Sequence, residues 1–217
     1  MSLLDDVTAR GTEIRTKLFE FLKRHTYTTD TRTVLVVGGV DMALELHEAV
    51  WQLHERKLKG AALAMIRLVF DAMFRALWLR AVATDEQVEQ AATDDLEWRG
   101  IPVRADIKRV YFGTPDDPAR AERLDGLFKS LGKVWKILCS YTHSGALQLT
   151  RRFTFDEVKP NYTDHELAQA FSDATEILLL GSALFFGSVG LEQESKEMAA
   201  MRDQYKTDFD ERLRTGQ

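Results

Sequence analysis

The chain has 217 residues, 45% of them hydrophobic and 29% charged, with a formal net charge of −5 at pH 7. That length suffices for one domain with a sizeable core, and the acidic balance excludes a wholesale basic nucleic-acid binder but not a local basic patch. The single cysteine, Cys139, excludes an intramolecular disulfide and leads us to expect a reducing, cytoplasmic compartment.

Residues 1–6 have neither the basic nor the apolar region of a signal peptide, so no leader is expected. Residues 3–25 predict a first helix with Ile14, Leu18, Phe19 and Leu22 on one face. Thr29, Asp30 and Thr31 form a capping cluster before a second helix over 32–59, which lines up Met42, Leu46, Val50 and Leu53. Within it, residues 34–41 (VLVVGGVD) resemble a nucleotide-fold strand entering a glycine turn. The G-x-G-x-x-G spacing fails there and no βαβ pattern follows. Residues 61–82 are apolar nearly all round, which predicts the central helix. Thr84 and Gln87 make a capping box for a short fourth helix ending near Thr93.

Residues 94–117, with Gly100, Pro102, Gly113 and Pro115, read as irregular. A fifth helix over 118–144 has a buried stripe of Leu124, Leu127, Phe128, Leu131, Trp135 and Leu138. Residues 150–158 alternate around Phe153 and Phe155, and a minor β-hairpin with 107–112 is the most they predict. Thr163 and Glu166 make a second capping box, opening a sixth helix over 164–189. The apolar run 177–191 falls short of the ~20 residues of a membrane span. Glu176 and Glu192 bound it directly, so we expect a buried core helix and no membrane partner. The expected fold is all-α: a bundle of about six helices over 1–191, then a polar C-terminal helical tail, 192–217, frayed towards its end.

Metal motifs fail. Trp51 and Gln169 occupy the second histidine position of H-E-x-x-H after His47-Glu48 and His165-Glu166. His47 and His54 share a helix face but lie about 10 Å apart, and read as polar-face residues rather than joint ligands. Walker A, G-x-S-x-G and C-x-x-C are missing as well, so no metal or cofactor is expected.

Two constellations remain. Arg67, Asp71 and Arg75 follow i, i+4, i+8 on the central helix and form one polar stripe among Leu63, Ile66, Phe70, Phe74 and Trp78. Buried charge must be paired. The stripe pairs itself with one guanidinium in excess, available to a phosphate or carboxylate. It is equally readable as a salt-bridge network holding helices in register. On the fifth helix, Lys129, Lys133, Lys136, Ser140 and His143 form a second stripe, with Tyr141 beside its end. Histidine there suits general acid–base work near neutral pH, and the lysines suit stabilisation of phosphate charge. The plainer reading is a solvated lysine face with a histidine satisfying helix carbonyls. Residues 98–152 hold eleven Lys/Arg against five Asp/Glu, including Arg151 and Arg152; their net charge of +6 leaves −11 for the rest. This concentration fits an anionic partner.

Residues 61–78 (AALAMIRLVFDAMFRALW) and 138–145 (LCSYTHSG) resemble two motifs of bacterial all-helical families similar in layout to HEPN domains (higher eukaryotes and prokaryotes nucleotide-binding). The resemblance covers about residues 35–190. It implies a helical bundle, often homodimeric, and in many members a metal-independent ribonuclease of toxin–antitoxin or phage-defence systems. Their motif is arginine, four to six residues, then histidine. His143 matches the histidine, whereas the arginine positions hold Lys136, Ile137 and Leu138. Lys136 keeps the charge without the bidentate grip, and Arg67 or Arg75 would have to supply the guanidinium.

The leading expectation is therefore a domain acting on RNA or a nucleotide, with an antitoxin-like protein partner. His143, Lys136, Arg67 and Arg75 would be catalytic; Asp71, Lys129, Lys133, Ser140, Tyr141, Arg151 and Arg152 would bind. A rival is a non-catalytic assembly module whose small-residue face, Gly181, Ser182, Ala183 and Gly187, packs at a dimer interface. A third is an effector sensor with an apolar pocket rimmed by Trp51, Trp78 and Trp135.

Overall fold

The computed structural model describes residues 2–113, 117–143, 145–152, 154 and 157–215. Within them the chain forms nine α-helices: α1 (Leu3–Arg24), α2 (Thr31–Glu55), α3 (Lys59–Ala81), α4 (Asp85–Ala92), α5 (Val103–Ile107), α6 (Pro118–Thr142), α7 (Ala146–Thr150), α8 (Asp164–Ser188) and α9 (Glu192–Thr215). A π-helical turn, Lys108–Phe112, continues α5.

The helix starts follow local capping chemistry. Asp30 caps α2 by accepting from the Thr33 amide, and the Thr84–Gln87 and Thr163–Glu166 boxes both form as their spacing predicts. The second helix ends earlier than expected, at Glu55. Lys57 takes a left-handed φ of 61°, and the Leu58 amide donates back to the Leu53 carbonyl at 2.8 Å. Glycine normally marks such a reversal, so lysine concealed it.

The all-α expectation holds, but about six helices was too few. α5 and the π turn fall in 94–117, where irregular chain was expected; α7 follows the expected fifth helix, and α9 is the expected helical tail. The hairpin does not form, because residues 107–112 are helical. Helical spacing sends Ile107 fully into the core, half-buries Tyr111 and Phe112, and lets the Tyr111 hydroxyl donate to the Leu77 carbonyl at 3.2 Å. Thr150 closes α7, and Phe153 and Phe155 lie outside the described residues.

α3 and α8 form the centre, each buried over most of its circumference. α2 and α6 pack on α3, α1 and α9 on α8. α8 has the length and apolarity of a membrane span, yet 72% of its most apolar window is buried inside the fold. Its small residues are used internally: Gly181, Ser182 and Ala183 are buried, and a Cβ at Gly181 would lie 2.1 Å from Met73 Cγ. At Gly181 only a bare Cα lets α8 approach α3 this closely, whereas the Ala183 carbonyl accepts from Ser195 of α9 and Gly187, exposed, lies beside the same serine. α9 stays helical to Thr215 and buries Met198, Tyr205 and Phe209, so its expected fraying does not occur before that point.

His47 corrects another expectation. It is fully buried rather than on a polar face, bridging Thr175 Oγ1 at 3.1 Å and Trp51 Nε1 at 3.3 Å. Burial, and secondarily the Arg15 charge, pushes its pKa down to about 3. Trp51 and Trp78 are core residues, each 3% exposed, and neither lines the cleft that Trp135 borders.

Two predictions follow from this packing. Gly181→Val should destabilise the fold by about 1–3 kcal/mol by overpacking the crossing; an unchanged midpoint in urea would refute that close approach. His47 stays neutral when folded but protonates near its ordinary value when unfolded. Its contribution is complete above pH 6.5 and is lost as pH falls towards 3. The stability difference between wild type and His47→Gln should therefore shift against wild type by a few kcal/mol, on the order of 4, across that range. Parallel curves would contradict this.

Candidate functional site

The one polar stripe of α3 opens into a cleft of about 760 Å³ between α3, the segment 98–108 and α6. Arg67, Asp71 and Arg75 form its α3 wall; Trp98, Arg99, Arg104 and Lys108 face them; Phe128, Gly132 and Trp135 close it from α6. The lining carries five cations and one carboxylate.

Local chemistry places each group. Trp78 Nε1 donates to Asp106 Oδ2 at 3.0 Å, pinning α5 to α3 one turn below Arg75. Asp71 accepts from Arg67 Nε at 2.8 Å and from Trp135 Nε1 at 3.3 Å, so one carboxylate ties α3 to α6. Arg67 and Arg104 both approach the Trp135 ring, at 4.2 and 4.7 Å, and Arg75 lies 4.7 Å from the Trp98 ring. Such cation–π contacts hold guanidinium planes without neutralising them. Arg104 lies against α6 at Gly132, where a Cβ would meet Arg104 Nη1 at 3.7 Å, an ordinary van der Waals contact.

Charge is unevenly satisfied. Arg67 has Asp71, and Lys108 pairs with Asp125. Arg75, Arg99 and Arg104 have no carboxylate partner among the described residues. Arg104 Nη1 is sealed from solvent with no hydrogen-bond acceptor there, and burial moves its pKa below the ordinary arginine value. A desolvated guanidinium without an acceptor is costly until an anion completes it. The arrangement is suited to phosphate, which takes paired N–H donors from arginine.

The structure brings together Arg67, Asp71 and Arg75, but sets the other predicted residues elsewhere. His143 caps the C-terminus of α6, exposed, and does not line the cleft. It follows Cys139 by one turn, and Cys139 Sγ accepts from Arg67 Nη1 at 2.7 Å. Lys129, Lys133 and Lys136 are exposed, without ion-pair partners among the described residues. Each follows by one position a residue of the α6 seam facing the cleft, Phe128, Gly132 and Trp135, so they form its outer lip. Ser140 accepts from the Leu147 amide at 3.2 Å and so holds α7, while Tyr141 packs 6.2 Å from the Tyr162 ring. Arg151 is committed to Glu166, and Arg152 is exposed. The sequence reading missed Trp98, Arg99, Arg104 and Lys108. Their signal was present in 98–109 (WRGIPVRADIKR), four cations against one acid inside a stretch read as irregular.

Removing the tie between α3 and α6 should be felt globally. Asp71→Ala leaves Arg67, only 12% exposed, and Trp135 without their acceptor. We expect a loss of about 2–3 kcal/mol in chemical denaturation; a change within error would mean the pair contributes nothing to the fold.

No curated protein and no solved structure matches the chain. A family model does, over residues 40–211, which takes in α3, the 98–108 segment and α6 and so every wall of the cleft. The chain belongs to that family, a family of unknown function (DUF6988).

Proposed function

We propose that this chain is an RNA- or nucleotide-binding helical domain of the kind its HEPN resemblance implies, holding phosphate in the arginine–tryptophan cleft. The observation that carries the reading is the imbalance of that cleft, five cations around one carboxylate, with Arg104 Nη1 buried and unpartnered among the described residues. Arg75 and Arg104 grip the phosphate. Lys129, Lys133 and Lys136 extend the positive surface along α6, as a polyanion longer than one nucleotide requires.

In the catalytic form of this reading the chemistry is metal-independent. A base takes the proton of a 2′-hydroxyl, the oxygen attacks the adjacent phosphorus, and the 5′-oxygen leaves with a proton returned to it. His143 is the residue for that exchange, and Arg67 or Lys136 offsets the charge developing on phosphorus. The setting is a bacterial toxin or phage-defence system, with a homodimer and a protein antitoxin as partners.

The position of His143 outside the cleft lining favours a second form, a module that binds without cleaving. Two variants separate them. Anisotropy with a short labelled single-stranded RNA, and with ATP, should show the Arg75→Ala/Arg104→Ala double variant at least ~100-fold weaker, at roughly tenfold or more per charged contact. Undiminished binding would sink the cleft assignment. His143→Ala should bind as wild type does but leave RNA intact where wild type fragments it. Cleavage retained by this variant removes His143 from the reaction, and no cleavage by wild type leaves the binding module.

A further inference from the structure

The opposite flank of α6 faces a second cavity, of about 470 Å³, between α6, α8 and α9. Small-molecule sites fall in this size range and combine apolar walls with a few placed polar groups. Leu127, Leu131 and Val134 from α6 face Ile177 and Leu180 from α8, and the polar group between them is Asp173.

The charged groups around Asp173 are committed elsewhere. From α9, Lys206 and Arg202 approach Glu176 at 3.2 and 3.8 Å; from α6, Arg123 reaches Asp117 at 4.0 Å. Arg202 also reaches Asp203 at 3.6 Å and Lys206 reaches Asp210 at 3.5 Å, so the two cations are shared between Glu176, on α8 one turn from Asp173, and these outer carboxylates. Asp173 accepts one hydrogen bond, from the Gln169 side-chain amide at 3.1 Å, and has no ion pair among the described residues. Its carboxyl is largely buried. Burial first, with the Glu176 charge adding to it, pushes its pKa up to about 6 against the Gln169 hydrogen bond and the Lys206 charge, which pull it down. Three cations, Arg123, Arg202 and Lys206, thus stand against five carboxylates, Asp117, Asp173, Glu176, Asp203 and Asp210, so the balance around the groove is negative, the reverse of the cleft across the helix, and an added cation would stabilise it.

We propose that the groove binds a free primary alkylammonium compound, its ammonium on the Asp173 carboxylate and its methylene chain along Leu127, Leu131 and Ile177. An anionic ligand finds every cation there already paired. A neutral apolar one leaves the buried carboxylate unmatched. The site is separate from the proposed phosphate cleft, and neither assignment depends on the other.

Calorimetric titration of the full chain with n-hexylammonium chloride tests it, with sodium hexanoate as the charge-reversed control. We expect one hexylammonium site and no hexanoate site. Affinity should rise by about tenfold from pH 5 to pH 7.5 as Asp173 ionises. Asp173→Asn should lose at least tenfold while folding as wild type does, since a neutral amide replaces a strained buried carboxylate. Ser130→Phe, which fills the groove from α6 and leaves Asp173 in place, should also lose binding. Absence of hexylammonium binding, equal binding by Asp173→Asn, or equal binding of hexanoate would each overturn the proposal.

Discussion

The crossing of α3 and α8 is the constraint from which the rest of the structure follows. Gly181 lies against Met73 where the two helices cross, which lets the axes approach closely and leaves Met73 fully buried. Interiors packed this tightly leave no room for unpaired charge. With α8 behind it and α2 beside it, α3 has one sector left for polar side chains, and Arg67, Asp71 and Arg75 occupy it. The other charges of α3 lie near its ends, Lys59 on Asp164 and Arg80 on the Ser188 carbonyl, so its central turns carry charge only in this sector and the cleft opens there.

α6 then divides what remains of the surface. Its buried residues are Leu124, Leu131 and Leu138, a seam one residue wide at a spacing of seven, unlike the broad buried faces of α3 and α8. A helix seated on so narrow a line leaves space on both flanks. On one flank guanidinium groups outnumber carboxylates; on the other the Asp173 carboxyl has no ion pair among the described residues. Asp71 holds the arrangement from the α3 side by accepting from both Arg67 and Trp135. That makes it the residue through which cleft geometry and fold stability are coupled. Its two roles are also why the stripe reads at once as a structural network and as a binding site.

How far this was legible depended on the range of the interaction that decides each feature. Capping boxes at Thr84–Gln87 and Thr163–Glu166 involve groups three residues apart, and both were readable directly. The i, i+4 pairing of Arg67 with Asp71 was readable for the same reason. By contrast Lys57 reverses the chain in a left-handed conformation that its residue type does not announce. Residues 107–112 were ambiguous between strand and helix because so short an apolar run fits either period; packing on Leu77 decides for the helix. His47 looked like a surface residue until Thr175, 128 positions away, supplied its partner.

The sequence by itself determined the all-helical class, the position of the long helices, the central place of residues 61–82, and the polar stripe that would have to be satisfied somewhere. These follow from periodicity and capping, which act over a turn or two of chain. Only the tertiary structure decided what the stripe meets. It set Trp98 and Arg104 opposite Arg67 and Arg75, kept His143, at the helix end where its sequence put it, out of the cleft lining, turned Gly181 inward, and left Asp173 without an ion pair among the described residues. Those outcomes depend on which helices cross and how closely, and no local pattern in the chain encodes the distance between two surfaces that meet only when it folds.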